Sequence, residues 1–70
     1  MDLTLVDSSL IYGVHYDDGT QELTVIFKSN GSKYVYEGVP QEAYDAMMAA
    51  ESQGKFFLRH IKPRFKWRQE

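Results

Sequence analysis

The chain has 70 residues, of which 43% are hydrophobic and 14% aromatic, and its net charge is −2. It contains no cysteine, which excludes disulfides and thiolate metal sites. It shows no signal-peptide pattern, and no apolar run approaches the roughly 20 residues of a membrane span. We therefore expect a soluble, cytoplasmic, single domain over residues 1–70, with a core at about 8–65, a basic tail at 63–70 and no membrane partner.

The charge is unevenly divided along the chain. Residues 1–54 carry nine acidic and two basic residues, a net charge of −7, whereas residues 55–70 carry six basic and one acidic residue, a net charge of +5. Such an asymmetry is typical of a tail that binds a polyanion, or of a basic segment that folds back on an acidic body.

Three stretches with alternating apolar residues, at 10–16, 23–28 and 33–37, predict strands. They follow a loose lead-in at 1–8. Asp18-Gly19 and Asn30-Gly31 are typical centres of two-residue hairpin loops, so we expect an antiparallel meander. Gly13 indicates a bulge in the first strand.

These loops set a register that pairs Phe27 with Tyr34, Val25 with Tyr36 and Tyr12 with Val25. One face then forms the core, and its residues are Leu10, Tyr12, Val14, Leu23, Val25, Phe27, Tyr34 and Tyr36. The opposite face is polar except for three aligned apolar residues: Ile11, Ile26 and Val35. We expect this patch to join two copies of the chain or to dock a partner.

Two helices are predicted after the strands. Pro40 suits the first turn of a helix, whose apolar stripe comprises Ala43, Tyr44, Met47, Met48 and Ala50. Ser52 can cap a second helix that runs from about 54 to 62, because Pro63 disfavours its continuation. Phe57 and Ile61 would face the sheet. The predicted fold class is α+β, a three-stranded antiparallel meander followed by two helices packed on one face.

An ordered set of residues extends over positions 8–65: Ser8, Ser9, Ile11, Tyr16, Leu23, Val25, Phe27, Gly31, Tyr34, Tyr36, Val39, Pro40, Tyr44, Ala50, Ser52, Gly54, Phe57 and Ile61. It resembles the KTSC domain, a family of small bacterial domains found alone and at the carboxyl end of some lysyl-tRNA synthetases. Leu58 departs from the polar residue expected there. The resemblance implies a β-β-β-α-α domain of bacterial or phage origin. It implies no reaction, and RNA binding has been suggested only from the synthetase fusion.

The residues give little support to catalysis. His15 and His60 lack metal-ligand spacing, Ser8-Ser9 lacks an identifiable base, and turn chemistry explains Asp17-Asp18. We expect no enzyme activity, metal or cofactor. Tyr34 and Tyr36 could stack bases, but the register favours a place in the core.

Two functional classes remain. The first is a protein-interaction or accessory domain, which includes a homodimer. The alternative is a weak module that binds RNA or another polyanion, because cations that neutralise phosphates and an aromatic ring that can stack on a base are interleaved in the basic tail. The residues of that hypothesis are Arg59, Lys62, Arg64, Lys66, Trp67 and Arg68.

Overall fold

The computed structural model describes residues 3–6 and 8–70. Within them the chain forms five strands and two helices, and the second helix changes from α- to π-type at Phe57. The elements are β1 (Thr4–Leu5), β2 (Ile11–Asp17), β3 (Glu22–Phe27), β4 (Lys33–Tyr36), α1 (Gln41–Ala49), α2 (Gln53–Phe56, continuing as the π-helix Phe57–Ile61) and β5 (Trp67–Gln69).

The strands form one antiparallel sheet in the order β1-β2-β3-β4-β5. The α+β class is confirmed, but the prediction of three strands is wrong. The lead-in supplies β1, which pairs Leu5 with Gly13, and the basic tail supplies β5, which pairs Arg68 with Val35. β1 has only two residues and shows no alternation in the sequence, and β5 has only three, within a short alternating stretch. Positions 1, 2 and 7 of the lead-in lie outside the described residues.

Both hairpin loops contain four residues rather than two. In each loop the fourth residue has a positive φ, 58° at Gln21 and 70° at Gly31, as in loops built around a type I turn. The first loop is held by the Asp17 carboxylate, which accepts from the backbone of Gly19 and Thr20 at 3.0 and 3.3 Å. The longer loops shift each register by two residues.

A shift of two residues keeps every side chain on its predicted face, because side chains alternate along a strand. Val25 therefore pairs with Tyr34 instead of Tyr36, and both remain on the face covered by the helices. The prediction that the two tyrosines are at least half buried there is confirmed, and Tyr36 is only 2% exposed.

The bulge that Gly13 indicated is present, since the register of β2 shifts between Ile11 and Gly13. It corrects two predictions. Ile11, expected on the outer face, is fully buried in the core, and Tyr12, expected in the core, is 48% exposed. The extra residue reverses the alternation on the amino-terminal side of the bulge.

The core lies between the sheet and the helices. Each helix contributes at least one fully buried side chain, Met47 from α1 and Phe57 and Ile61 from α2, as predicted for the last two. The remaining core residues are Val6, Ile11, Val14, Leu23, Val25, Tyr36 and Val39. Met48 packs against this core from its margin.

The start of α2 is fixed by two serines. Ser52 caps it as predicted, accepting from the Lys55 N–H at 3.3 Å. The Ser8 hydroxyl accepts from the N–H groups of Leu10 and Ile11, and a Cβ on Gly54 would lie 2.8 Å from that hydroxyl oxygen. Only glycine therefore lets α2 approach the loop before β2 this closely.

Candidate functional site

Strand β5 places Trp67 against the aromatic residues of β4. Trp67 pairs with Tyr36 along the sheet, and its ring meets that of Tyr34 at right angles, with centroids 5.2 Å apart. Tyr34 in turn contacts Phe27 edge-on at 5.4 Å. Trp67 is therefore connected to the core through Tyr34, yet its own side chain is 54% exposed.

These rings line a cleft of about 270 Å³ on the helix side of the sheet, which we call the Trp67 cleft. Its lining includes two polar groups that sequence reasoning did not connect with Trp67, namely Asn30 and Ser29 from the loop between β3 and β4. Lys62, which follows the π-helix, contributes a cation to the same cleft. Aromatic surface, a cation and hydrogen-bonding groups thus meet in one concave site.

The polar groups of the cleft are suited to donate hydrogen bonds. Burial raises the pKa of the Tyr36 hydroxyl, and the nearby Tyr34 raises it further, so this hydroxyl keeps its proton at neutral pH. The Asn30 carbonyl oxygen accepts from the backbone of Ser32 at 3.0 Å. That bond orients the side chain and directs the Asn30 amide group, which has two N–H donors, away from Ser32.

The five cations of the RNA hypothesis divide into two groups. Arg68 is neutralised, because it contacts Glu22 at 3.2 Å, Glu37 at 3.4 Å and Glu70 at 4.0 Å. The hydrogen bond to Glu22 is the main reason that its pKa is raised above the usual value. This part of the tail does fold back on the acidic body.

The other four cations of the RNA hypothesis remain available to bind phosphates. All ion pairs formed within residues 3–6 and 8–70 involve Arg68, and the exposed residues without such a pair include Arg59, Lys62, Arg64 and Lys66. Lys55, at the start of α2, is exposed as well. Because Glu22 and Glu37 bind Arg68 on the outer face, they lie away from the Trp67 cleft on the helix side.

The structure does not bring together the predicted interaction patch. Ile11 belongs to the core, Val35 is 2% exposed beside Arg68, and Ile26 alone is partly exposed on the outer face. The apolar exposure on that face comes instead from Leu5 and Tyr12. Leu5 is paired with Gly13, which in turn is paired with Ile26.

No metal centre is evident in the described part of the chain, where no three histidine or acidic side chains are grouped to hold an ion. His60 packs instead against Phe56, with ring centroids 4.7 Å apart. None of the helices described above is long and apolar enough to span a membrane.

Elements β2 to α2 follow the β-β-β-α-α order that the resemblance implies, with tyrosines on β4 and glycine at the start of α2, whereas β1 and β5 are additional. The family model of the KTSC domain matches residues 7–65. The chain belongs to the KTSC domain family. In this KTSC domain the family-motif residues have structural roles: Val39, for example, is fully buried and its carbonyl accepts from the Tyr16 hydroxyl at 2.6 Å.

Known proteins similar to this KTSC domain include both separate domains and parts of larger enzymes. The crystal structure of a KTSC domain protein from Yersinia pestis superposes with a TM-score of 0.92 and 36% identity, covering 99% of this chain and 96% of that one. A protein of Tsukamurella paurometabola is 43% identical over 61 residues, which are 87% of this chain and 90% of the relative.

A lysine–tRNA ligase of Trichormus variabilis is 38% identical over 63 residues. The match covers 90% of this chain but 11% of the ligase, so the likeness concerns one small part of that enzyme.

Trp67 and the cations of the site could be predicted from the sequence, but the residues that line the rest of the cleft could not. Asn30 and Phe27 were assigned to a turn and to the core, and nothing near them in the sequence points to Trp67, 37 residues later. A signal for β5 does exist: from Phe65 to Gln69 aromatic and basic residues alternate, which is typical of a short strand.

Proposed function

We propose that this KTSC domain is a non-catalytic module that binds single-stranded RNA through the Trp67 cleft. One observation carries the proposal: Trp67 is 54% exposed, is held edge-on by Tyr34, and shares its cleft with Lys62. An aromatic ring held in place beside cations is the combination that single-strand binders use.

Lys62 lines the Trp67 cleft, Arg64 lines a neighbouring cleft, and Lys66 is an exposed cation next to Trp67 in the sequence. A base stacks on Trp67, and the Asn30 amide and the tyrosine hydroxyls supply hydrogen bonds to its edge. Lys62, Arg64 and Lys66 neutralise phosphates, whereas Arg68 does not, since its charge is satisfied by Glu22 and Glu37. The likeness to a segment of lysine–tRNA ligases supports RNA as the nucleic acid.

The test uses Trp67, the only tryptophan, as a fluorescent reporter. Single-stranded RNA added at low salt should change its emission, and the variant with Lys62, Arg64 and Lys66 replaced by Gln should bind much more weakly. If each of the three contacts one phosphate, the slope of log K against log salt should be about 2 units steeper in the parent than in the variant.

Lys28→Gln is the matched control, because Lys28 is an exposed cation that lies outside the Trp67 cleft. It should leave both affinity and salt slope close to those of the parent. The proposal is wrong if Trp67 does not respond to RNA, or if the triple variant binds as tightly as the Lys28 control.

A second candidate is protein interaction, in the form of self-association through the outer face. It is favoured by the exposure of Leu5, 67%, and Tyr12, 48%. Tyr12 lines a cleft with the partly exposed Ile26, and Gly13 separates Leu5 from Ile26 along the sheet. Contiguous apolar surface of this kind marks contact sites. Sedimentation equilibrium at increasing concentration should then show a dimer that Tyr12→Ser weakens; a parent that stays monomeric at millimolar concentration removes this candidate.

A further inference from the structure

A π-helical segment lies between the Trp67 cleft and a second aromatic surface. The Lys62 N–H donates to the Phe57 carbonyl at 2.9 Å, closing a five-residue turn. π-helical turns are rare and are frequently found at functional sites. Here the turn buries Phe57 and Ile61 and leaves Arg59 and His60 exposed between them.

The second aromatic surface is the pair Phe56 and His60. Their rings are 4.7 Å apart at an angle of 44°, and they separate two further clefts. One, of about 430 Å³, is also lined by Arg64, and the other, of about 270 Å³, is also lined by Arg59. The pair therefore consists of a half-buried Phe56 and an exposed His60. On each side of it lies an arginine that forms no ion pair with the described residues.

This surface is close to the Trp67 cleft. Ile61 lines the cleft of His60 and Arg64, and the next residue, Lys62, lines the Trp67 cleft. The largest extent of the whole domain is 27 Å. A short oligonucleotide can therefore reach from one aromatic surface to the other.

We infer that the Phe56–His60 pair is a second stacking platform for the same RNA strand, an inference that rests on the function proposed above. The strand runs from Trp67 past Lys62 and Arg64 to His60, and its phosphates contact these cations on the way. The footprint is about four nucleotides, at the small end of known single-strand sites. Phe56 and His60 are four positions apart, which places them on one face of the helix.

Two acidic residues line the clefts beside the pair, Glu51 on the side of Arg59 and Glu42 on the side of Arg64, and Glu42 lies on the proposed path. Glu42, in the first turn of α1, lines the same cleft as His60 and Arg64, and its charge repels a phosphate there. Removing the charge should tighten the binding of strands that reach His60 and should not affect shorter ones.

The experiment compares RNA of increasing length by Trp67 fluorescence. Affinity of the parent should rise from two nucleotides to about four and then level off. His60→Ala should lower the affinity for a six-nucleotide strand about fivefold or more, which corresponds to the loss of one stacked base, without changing that for a dinucleotide. His60→Tyr retains a ring and should keep the gain with length, while Glu42→Gln should increase it.

The outcomes separate the two proposals. If Trp67 responds to RNA but affinity does not change with length, or if His60→Ala and His60→Tyr behave alike, the second platform is wrong and the Trp67 cleft stands. If Trp67 responds to no length of RNA, the proposed function itself fails. Unchanged thermal unfolding of the His60 variants shows that any loss concerns binding and not folding.

Discussion

The guanidinium of Arg68 reaches across β4 to Glu22, donating from both Nη1 and Nη2 to a single carboxylate oxygen at 3.2 Å. Arg68 lies on β5 and Glu22 on β3, so the side chain must pass the strand between them. The residue opposite Arg68 on that strand is Val35, which is buried although no helix covers this face. The stem of the arginine shields an apolar residue while its charged end remains in water.

The first prediction separates the two contributions of Arg68. Arg68→Met removes the ion pairs but keeps an apolar stem over Val35, whereas Arg68→Ala removes both. Because exposed ion pairs contribute little, the methionine variant should unfold at nearly the urea concentration of the parent, and the alanine variant at a clearly lower one. Equal midpoints for the two variants would mean that the stem does not protect Val35.

The second prediction concerns the contact between Ser8 and Gly54. Alanine normally stabilises a helix relative to glycine by up to about 1 kcal/mol, but Gly54→Ala should destabilise this domain by about 1–3 kcal/mol because the new Cβ meets the Ser8 hydroxyl. Ser8→Ala removes that oxygen, so the cost of Gly54→Ala should be smaller in its presence. Additive free energies in this double-mutant cycle, measured by urea unfolding, would contradict the clash.

The third prediction concerns Tyr36, whose ring meets that of Phe57 edge-on at 5.1 Å. Tyr36→Ala should lower the free energy of unfolding by about 3–5 kcal/mol, the usual range for large aromatic deletions. Tyr12→Ala makes the same chemical change at an exposed position and should cost about 0.5 kcal/mol or less. Equal losses for the two variants would show that Tyr36 does not carry core packing.

The fourth prediction is a loss of stability at alkaline pH. Burial is the main cause that raises the pKa of Tyr16 and also of Tyr36 above the ordinary value of 10.0. The folded state then binds these protons more tightly than the unfolded state, so this contribution is complete below pH 10.0 and is lost as the pH rises above it. Tyr36→Phe should make the melting temperature less sensitive to pH above 10. Between pH 7 and 9 the melting temperatures of variant and parent should change with pH in the same way. A variant as pH-sensitive as the parent would assign the effect to other groups.

The faces of the central strands could be predicted because side chains alternate along a strand, so that a register shift of two residues leaves each side chain on the same face. Val25 and Tyr34 stay on the core face whether the loop contains two or four residues. Loop length itself depends on which residue takes a positive φ, and Gln21 gives no such signal in the sequence. The bulge shows the limit, since a single extra residue moved Ile11 into the core and Tyr12 out of it.

The candidate site could be predicted only in part. The cations and Trp67 are contiguous in sequence, and local composition was enough to single them out. The pairing that neutralises Arg68 joins residues 46 positions apart, and the one that brings Tyr34 to Trp67 joins residues 33 positions apart. No local pattern reports either of them.

The pairing of β4 with β5 has a consequence for how the domain is made. When β4 leaves the ribosome, the backbone groups that will bond to β5 have no partner. The Glu37 N–H, for example, donates to the Lys66 carbonyl, which is synthesised later. At typical synthesis rates that interval lasts roughly 2 to 6 s. Throughout it an unpaired strand edge carrying Tyr34 and Val35 is open to other chains. Chains truncated before residue 66 should therefore aggregate or recruit chaperones, whereas chains that contain β5 should not.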